Sequence, residues 1–216
     1  MPDFHKFKRK YHFLHTTLMK KISFNAKVTP KPLFILGNPK SGTTVIANLL
    51  SKATKKTLTS DIQSSIKYVS LKLDFKLLSF NDFIDRHNYE FSKEIIKEPF
   101  LSFYTNDLIR KFPNAKFIWI VRNPHQNIRS ILNRLKIPGN LKEINFNEFS
   151  ELEKTPAWKV NLQSKMYGYK SSNYIEAMAF RWNHAINIYK ENKAKENYYK
   201  FINSRHFLKN IKELKL

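Results

Sequence analysis

The chain contains no cysteine. That excludes disulfide frameworks, thiolate metal ligands and thiol nucleophiles, and it fits a reducing compartment. It also lacks any apolar run long enough to span a bilayer. The basic start (Lys6, Lys8, Arg9, Lys10) is followed by Tyr11–Met19, which His12, His15, Thr16 and Thr17 break up into a poor signal-peptide core. A cytoplasmic protein is the resulting expectation. Acidic residues are scarce as well: 17 Asp+Glu stand against 39 Lys+Arg, a net charge of +22. Nucleotides, nucleic acid, anionic glycans and acidic membrane surfaces all suit such an excess, while a Lys-rich solvated surface accounts for the same number. There is no His-Glu-x-x-His pattern, and the seven histidines are scattered, so no metal site is expected.

The 216 residues suffice for one domain. Residues 1–32 read as a basic leader closed by Pro30 and Pro32, and residues 33–216 as a single domain. Leu33-Phe34-Ile35-Leu36 and Phe117-Ile118-Trp119-Ile120-Val121 are continuous apolar runs of the kind buried on both faces of a parallel sheet. Glu94–Lys97 and Tyr198–Ile202 are shorter strand candidates. Helical spacing follows from Thr43, over Leu101–Lys111, from Pro124 to Leu135 and over Ser171–Lys190, with a short basic helix expected at the tail. Ile66, Val69, Leu73 and Leu77 suggest one more helix in the ambiguous stretch Asp61–Phe83. Strands alternating with helices imply right-handed crossovers and an α/β fold with a central parallel sheet flanked by helices.

Two segments carry chemistry. Gly37-Asn38-Pro39-Lys40-Ser41-Gly42-Thr43-Thr44 joins the first buried strand to the first helix. A helix start offers unpaired N–H groups and a positive dipole end, hence an anion site. The two glycines stand at the spacing of a nucleoside-triphosphate loop, but Thr43 occupies the position of that motif's lysine, and the lysine lies earlier, at Lys40. This disfavours an ordinary kinase or ATPase. The second segment is Val121-Arg122-Asn123-Pro124, with Ser130 two helical turns beyond. Arg122 leaves the carboxyl end of a buried strand, where open α/β sheets bind ligands, and a guanidinium pairs with phosphate oxygens.

Lys-Ser-Gly-Thr-Thr in this setting resembles the 5′-phosphosulfate loop of sulfotransferases that use PAPS (3′-phosphoadenosine 5′-phosphosulfate), and Arg122 with Ser130 resembles their 3′-phosphate motif. Lys97-Glu98-Pro99-Phe100 and Phe112–Phe117 look most like the protein-tyrosine sulfotransferases and related bacterial enzymes; the likeness covers roughly residues 33–135. It implies a P-loop-type three-layer fold, PAPS as donor, no metal, and an acceptor hydroxyl or amine on a glycan, a peptide tyrosine or a small molecule. Lys40 and Lys97 would face the sulfuryl group; Ser41, Gly42, Thr43 and Thr44 would hold the 5′ end, and Arg122 and Ser130 the 3′-phosphate. The cytosolic enzymes' histidine is replaced by Pro99. An ungapped count places Asp61 where the tyrosine enzymes have their glutamate base, and Glu98 is the alternative. Asp61 also suits a helix N-cap. The cytosolic enzymes' C-terminal Arg-Lys-Gly is missing; Arg205 or Lys209 would have to substitute. A small-molecule kinase on the same scaffold and a non-enzymatic polyanion binder are the rival readings. Peripheral contact with an anionic membrane is compatible with the charge; no specific nucleic-acid partner is expected.

Overall fold

The computed structural model describes residues 26–62, 69–143, 147, 171–193 and 199–203. Most of the leader, Ile66, the mixed region around Trp158 and the basic tail with Arg205 and Lys209 lie outside the described residues. Five parallel strands form one sheet in the order β2-β3-β1-β4-β5: β1 Leu33–Leu36, β2 Leu58–Ser60, β3 Ile95–Lys97, β4 Lys116–Val121 and β5 Tyr199–Asn203. The described α-helices are α1 Thr43–Thr54, α2 Val69–Asp74, α3 Phe80–Arg86, α4 Asn88–Phe91, α5 Thr105–Lys111, α6 Pro124–Leu135 and α7 Tyr174–Lys193, with 3₁₀ turns at Pro99–Tyr104 and Leu141–Glu143.

The period of two along each strand sorts the apolar runs onto two faces. Leu33, Ile35, Ile95, Ile118 and Ile120 pack against Ile46, Ala47 and Leu50 of α1. Phe34, Leu36, Ile96, Phe117 and Trp119 turn the other way, onto Phe83, Phe91, Leu101, Leu108, Phe112, Ala185 and Tyr189. Helices therefore cover both faces, which gives the three-layer α/β arrangement expected from the sequence. Phe34 is the hub of the larger layer: its ring lies 5.4 Å from those of Phe117 and Phe112 and 6.5 Å from that of Phe91. A third cluster, Ile131, Leu132, Leu135, Ile137, Tyr174 and Met178, ties α6 to α7.

Two expectations are corrected, and one strand was not expected at all. The helix expected from Leu101 begins as the 3₁₀ turn Pro99–Tyr104 and becomes α-helical at Thr105, because the proline and the Glu98 cap impose a tight start. In the stretch Asp61–Phe83, α2 ends at Asp74. Lys76 adopts φ 55°, the Leu77 N–H donates to the Lys72 carbonyl and the Lys76 N–H to Leu73. This left-handed C-cap leaves Leu77 76 % exposed rather than on a helical stripe. Strand β2 is an element that the hydrophobic pattern does not announce: Leu58-Thr59-Ser60 is three residues long and mostly polar. Ahead of β1, Val28 packs against the larger core and the Thr29 N–H donates to the Phe91 carbonyl.

Because a fully buried aromatic hub leaves a cavity when truncated, Phe34→Ala should cost about 3–5 kcal/mol. Phe75→Ala, at a side chain 68 % exposed, should stay within about 0.5 kcal/mol. Denaturant midpoints of the two variants check this contrast.

Candidate active site

In this strand order the chain leaves β1 towards β2 and leaves β4 towards the opposite edge at β5. The carboxyl ends of β1 and β4 therefore flank the topological switch point, where α/β sheets of this type open a crevice. Both sequence-predicted anion segments emerge there.

After Leu36 the backbone turns sharply. Gly37 has φ 138°, and a Cβ on it would stand 2.4 Å from the Ile120 carbonyl oxygen, so only glycine lets the loop lie this close against β4. Ser102, from the 3₁₀ turn, fixes the same point: its Oγ accepts from the Gly37 N–H at 2.8 Å. Lys40 is exposed and left-handed, with φ 66°. Gly42, φ 97°, is the N-cap of α1, and no side chain caps that helix. By contrast, α6 is capped by its own Asn123, whose Oδ1 accepts from the Gln126 N–H at 3.3 Å. The first N–H groups of α1 thus lack a side-chain acceptor, as an anion site requires. Thr43 is buried and Thr44 exposed. The Ser41 side chain is turned into the protein, where its Oγ accepts from Asn127 Nδ2 at 3.2 Å.

Arg122, the residue after β4, reaches back to this loop: one Nη donates to the Lys40 carbonyl at 2.8 Å. Its own carbonyl accepts from Trp182 Nε1 on α7 at 3.0 Å. Ser130 lies on α6 one turn beyond Asn127, partly exposed. The structure therefore brings the Lys40 turn and the Arg122 turn into direct contact.

The remaining predicted residues converge at the ends of β2 and β3. Lys97 is level with Ile35 of β1 and Ser60 of β2. Its side chain is only 4 % exposed, and its ammonium is ion-paired with the Asp61 carboxylate, which is 52 % exposed. Asp61 sits in a turn directly after β2, with φ 94° and its N–H bonded to the Lys97 carbonyl. Its carboxylate is thus engaged by Lys97, while residues 63–68, where a helix start would follow, lie outside the described residues. Glu98 is buried beneath this pair. Its Oε2 accepts from the Ile62 N–H at 2.8 Å and its Oε1 from the Phe100 N–H at 3.3 Å. Burial first, and then the neighbouring Asp61 charge, push its pKa from the ordinary 4.5 up to about 7, against the opposing pull of Lys97 and the two backbone N–H groups.

Sequence reading misses Ser102, Asn127 and the anchoring role of Trp182. None belongs to a spaced motif, and each acts through contacts that only the tertiary fold creates. Among the described residues, no group of three or more His, Cys, Asp or Glu is placed to hold a metal ion, and no helix is long and apolar enough to cross a membrane.

The fold is a three-layer α/β arrangement with an uncapped helix start and an arginine beside it at the switch point. The chain belongs to the sulfotransferase family, whose model matches residues 55–195. That span contains Asp61, Lys97, Glu98, Arg122 and Ser130, and it continues well past residue 135, where the sequence likeness fades. No curated protein matches the chain in sequence. Among solved structures, sulfotransferase STF1 from Mycobacterium tuberculosis is 13 % identical with a TM-score of 0.51, over 88 % of this chain and 66 % of that one. Mouse sulfotransferase SULT7A1, solved in complex with PAP, is 20 % identical with a TM-score of 0.44, over 88 % and 57 %. Sulfotransferase STF9 from Mycobacterium avium is 12 % identical with a TM-score of 0.48, over 94 % and 65 %. The likeness to the first shows a shared fold. The chain spans less than two thirds of the length of each of these proteins.

The raised pKa of Glu98 has a definite sign in stability. The folded state holds the proton more tightly than the unfolded chain, so this group's contribution is complete below pH 4.5 and is lost as pH rises to about 7. Chemical denaturation of wild type and Glu98→Gln at pH 5 and pH 8 should show the wild type losing more stability across that interval. Equal losses would remove the buried-carboxyl account.

Proposed function

We propose that the chain transfers the sulfuryl group of PAPS to an acceptor hydroxyl or amine, with glycans the acceptor class to test first. The observation that carries this reading is the bond from Arg122 to the Lys40 carbonyl. It sets a guanidinium beside the uncapped start of α1, so that one crevice offers a separate cationic pocket to each phosphorylated end of the donor. An ordinary triphosphate loop would place its cation at position 43, where this chain has a buried threonine.

In this reading, the N–H groups of Gly42, Thr43 and Thr44 with the Thr44 hydroxyl hold the 5′ end, while Arg122 and Ser130 hold the 3′-phosphate. Ser41 supports the loop from within. Lys40 and Lys97 stabilise the charge that develops on the sulfuryl and bridging oxygens as the sulfur–oxygen bond to the nucleotide breaks. Asp61 is the better base of the two carboxylates. It is half-exposed beside the buried Lys97, so it can take the acceptor's proton as the new sulfur–oxygen or sulfur–nitrogen bond forms. Glu98 has both oxygens engaged by backbone N–H groups and lies buried. It positions the turn that carries Asp61 and does not touch the acceptor.

Saturating PAP, the bisphosphate product, should raise the melting temperature by several degrees, as about 2.7 kcal/mol of ligand stabilisation implies at a hundredfold excess over Kd. ATP should raise it far less. With labelled PAPS and a panel of glycan, tyrosine-peptide and small-molecule acceptors, Lys40→Ala should lower kcat by about 10²–10³-fold and Asp61→Asn by about 10²–10⁴-fold. Preferential stabilisation by ATP, or transfer indifferent to Lys40→Ala, would defeat the reading.

A further inference from the structure

Asn127 lies on the first turns of α6 and is 2 % exposed. A buried amide is costly unless both of its hydrogens find acceptors, and an apolar residue would fill this helix face as well. Both hydrogens are spent on the phosphate loop: Nδ2 donates to the Pro39 carbonyl at 2.9 Å and to Ser41 Oγ at 3.2 Å. Between those two contacts, Arg122 donates to the Lys40 carbonyl at 2.8 Å. Three consecutive loop residues are thus held from Arg122 at the end of β4 and from α6, the helix that also carries Ser130. The residue in the middle is Lys40, a non-glycine residue at φ 66°, a conformation that persists only where its surroundings impose it.

We propose that Asn127 is a positioning residue that fixes the spacing between the two phosphate pockets, so that seating the 3′-phosphate at Arg122 also sets the place of Lys40. This rests on the PAPS reading above. Asn127 touches neither end of the donor. It acts through the Pro39 carbonyl and the Ser41 hydroxyl of the loop, and an error of about 1 Å in that spacing is enough to cost about 10²-fold in rate.

A ligand that bridges both pockets senses their spacing, whereas a ligand held by one pocket does not. Calorimetric titration with PAP, AMP and adenosine 3′-monophosphate separates the two cases. Asn127→Leu keeps the bulk of the side chain and removes both donors. It should weaken PAP at least tenfold while changing each monophosphate by less than about threefold, and it should lower kcat more than it raises the donor KM. Asn127→Gln, which retains the amide, should fall between wild type and the Leu variant. A parallel loss for all three ligands, as general loosening of the helix would give, overturns the proposal, and so does unchanged PAP binding. If Asn127→Leu does not fold, Asn127→Gln decides alone: PAP weakened with the monophosphates unchanged supports the proposal, and parallel changes or none overturn it. Failure of the wild type to bind PAP would strike the donor reading instead, which keeps the two failures apart.

Discussion

The absence of a side chain at Gly37 is the constraint on which the site depends. A methyl group there would stand 2.4 Å from the Ile120 carbonyl oxygen, so any other residue would push the loop off β4. Because the loop lies against β4, its next residues pass within reach of the side chain that leaves that strand, and Arg122 closes on the Lys40 carbonyl. Ser102 holds the same glycine from the opposite side. The loop is therefore clamped between the 3₁₀ turn that follows Glu98 and the Arg122 turn with the helix that carries Ser130.

The charges near β3 form a second unit with its own logic. A lysine as buried as Lys97 needs a partner, and Asp61 supplies it from a turn whose backbone is bonded to the Lys97 carbonyl. The additional carboxyl of Glu98 would crowd this unit with negative charge if ionised, and burial disfavours that form. What remains is a graded arrangement: a buried carboxyl that organises backbone, a buried ammonium above it, and a carboxylate that reaches solvent. Of the three, only the last is substantially exposed.

The parts of the fold that were legible are those where burial on both faces leaves a strong signature. Strands β1 and β4 are continuous apolar runs, and α1 and α6 begin at Gly42 and Pro124, residues with a specific backbone purpose. Strand β2 was not legible because an edge strand of three residues, two of them polar, has no periodicity to detect. Arg122 was readable from its place directly after the apolar run of β4, at the sheet's carboxyl edge, whereas Lys40 and Lys97 stood out through the family resemblance. Asn127 was unreadable for the opposite reason. An asparagine inside an amphipathic helix looks like part of its solvated side, and only the partners at Pro39 and Ser41 reveal that it faces inward.

The position of the loop lysine also bears on which chemistry the scaffold favours. A cation at the helix start addresses the terminal phosphates of a triphosphate that extends past that start. Here the helix start carries Thr43, with its side chain packed into the protein, and the cation is displaced to the exposed crown of the loop at Lys40. A crown-mounted lysine and a strand-end lysine at position 97 place positive charge on both sides of the edge where β1 and β3 end. In the proposed reading, such charge serves a short donor tail, a single 5′-phosphate followed by one transferable group. The large net charge of the chain is a separate matter: in the proposed reading the chemistry draws on the few cations at the switch point, Lys40, Lys97 and Arg122.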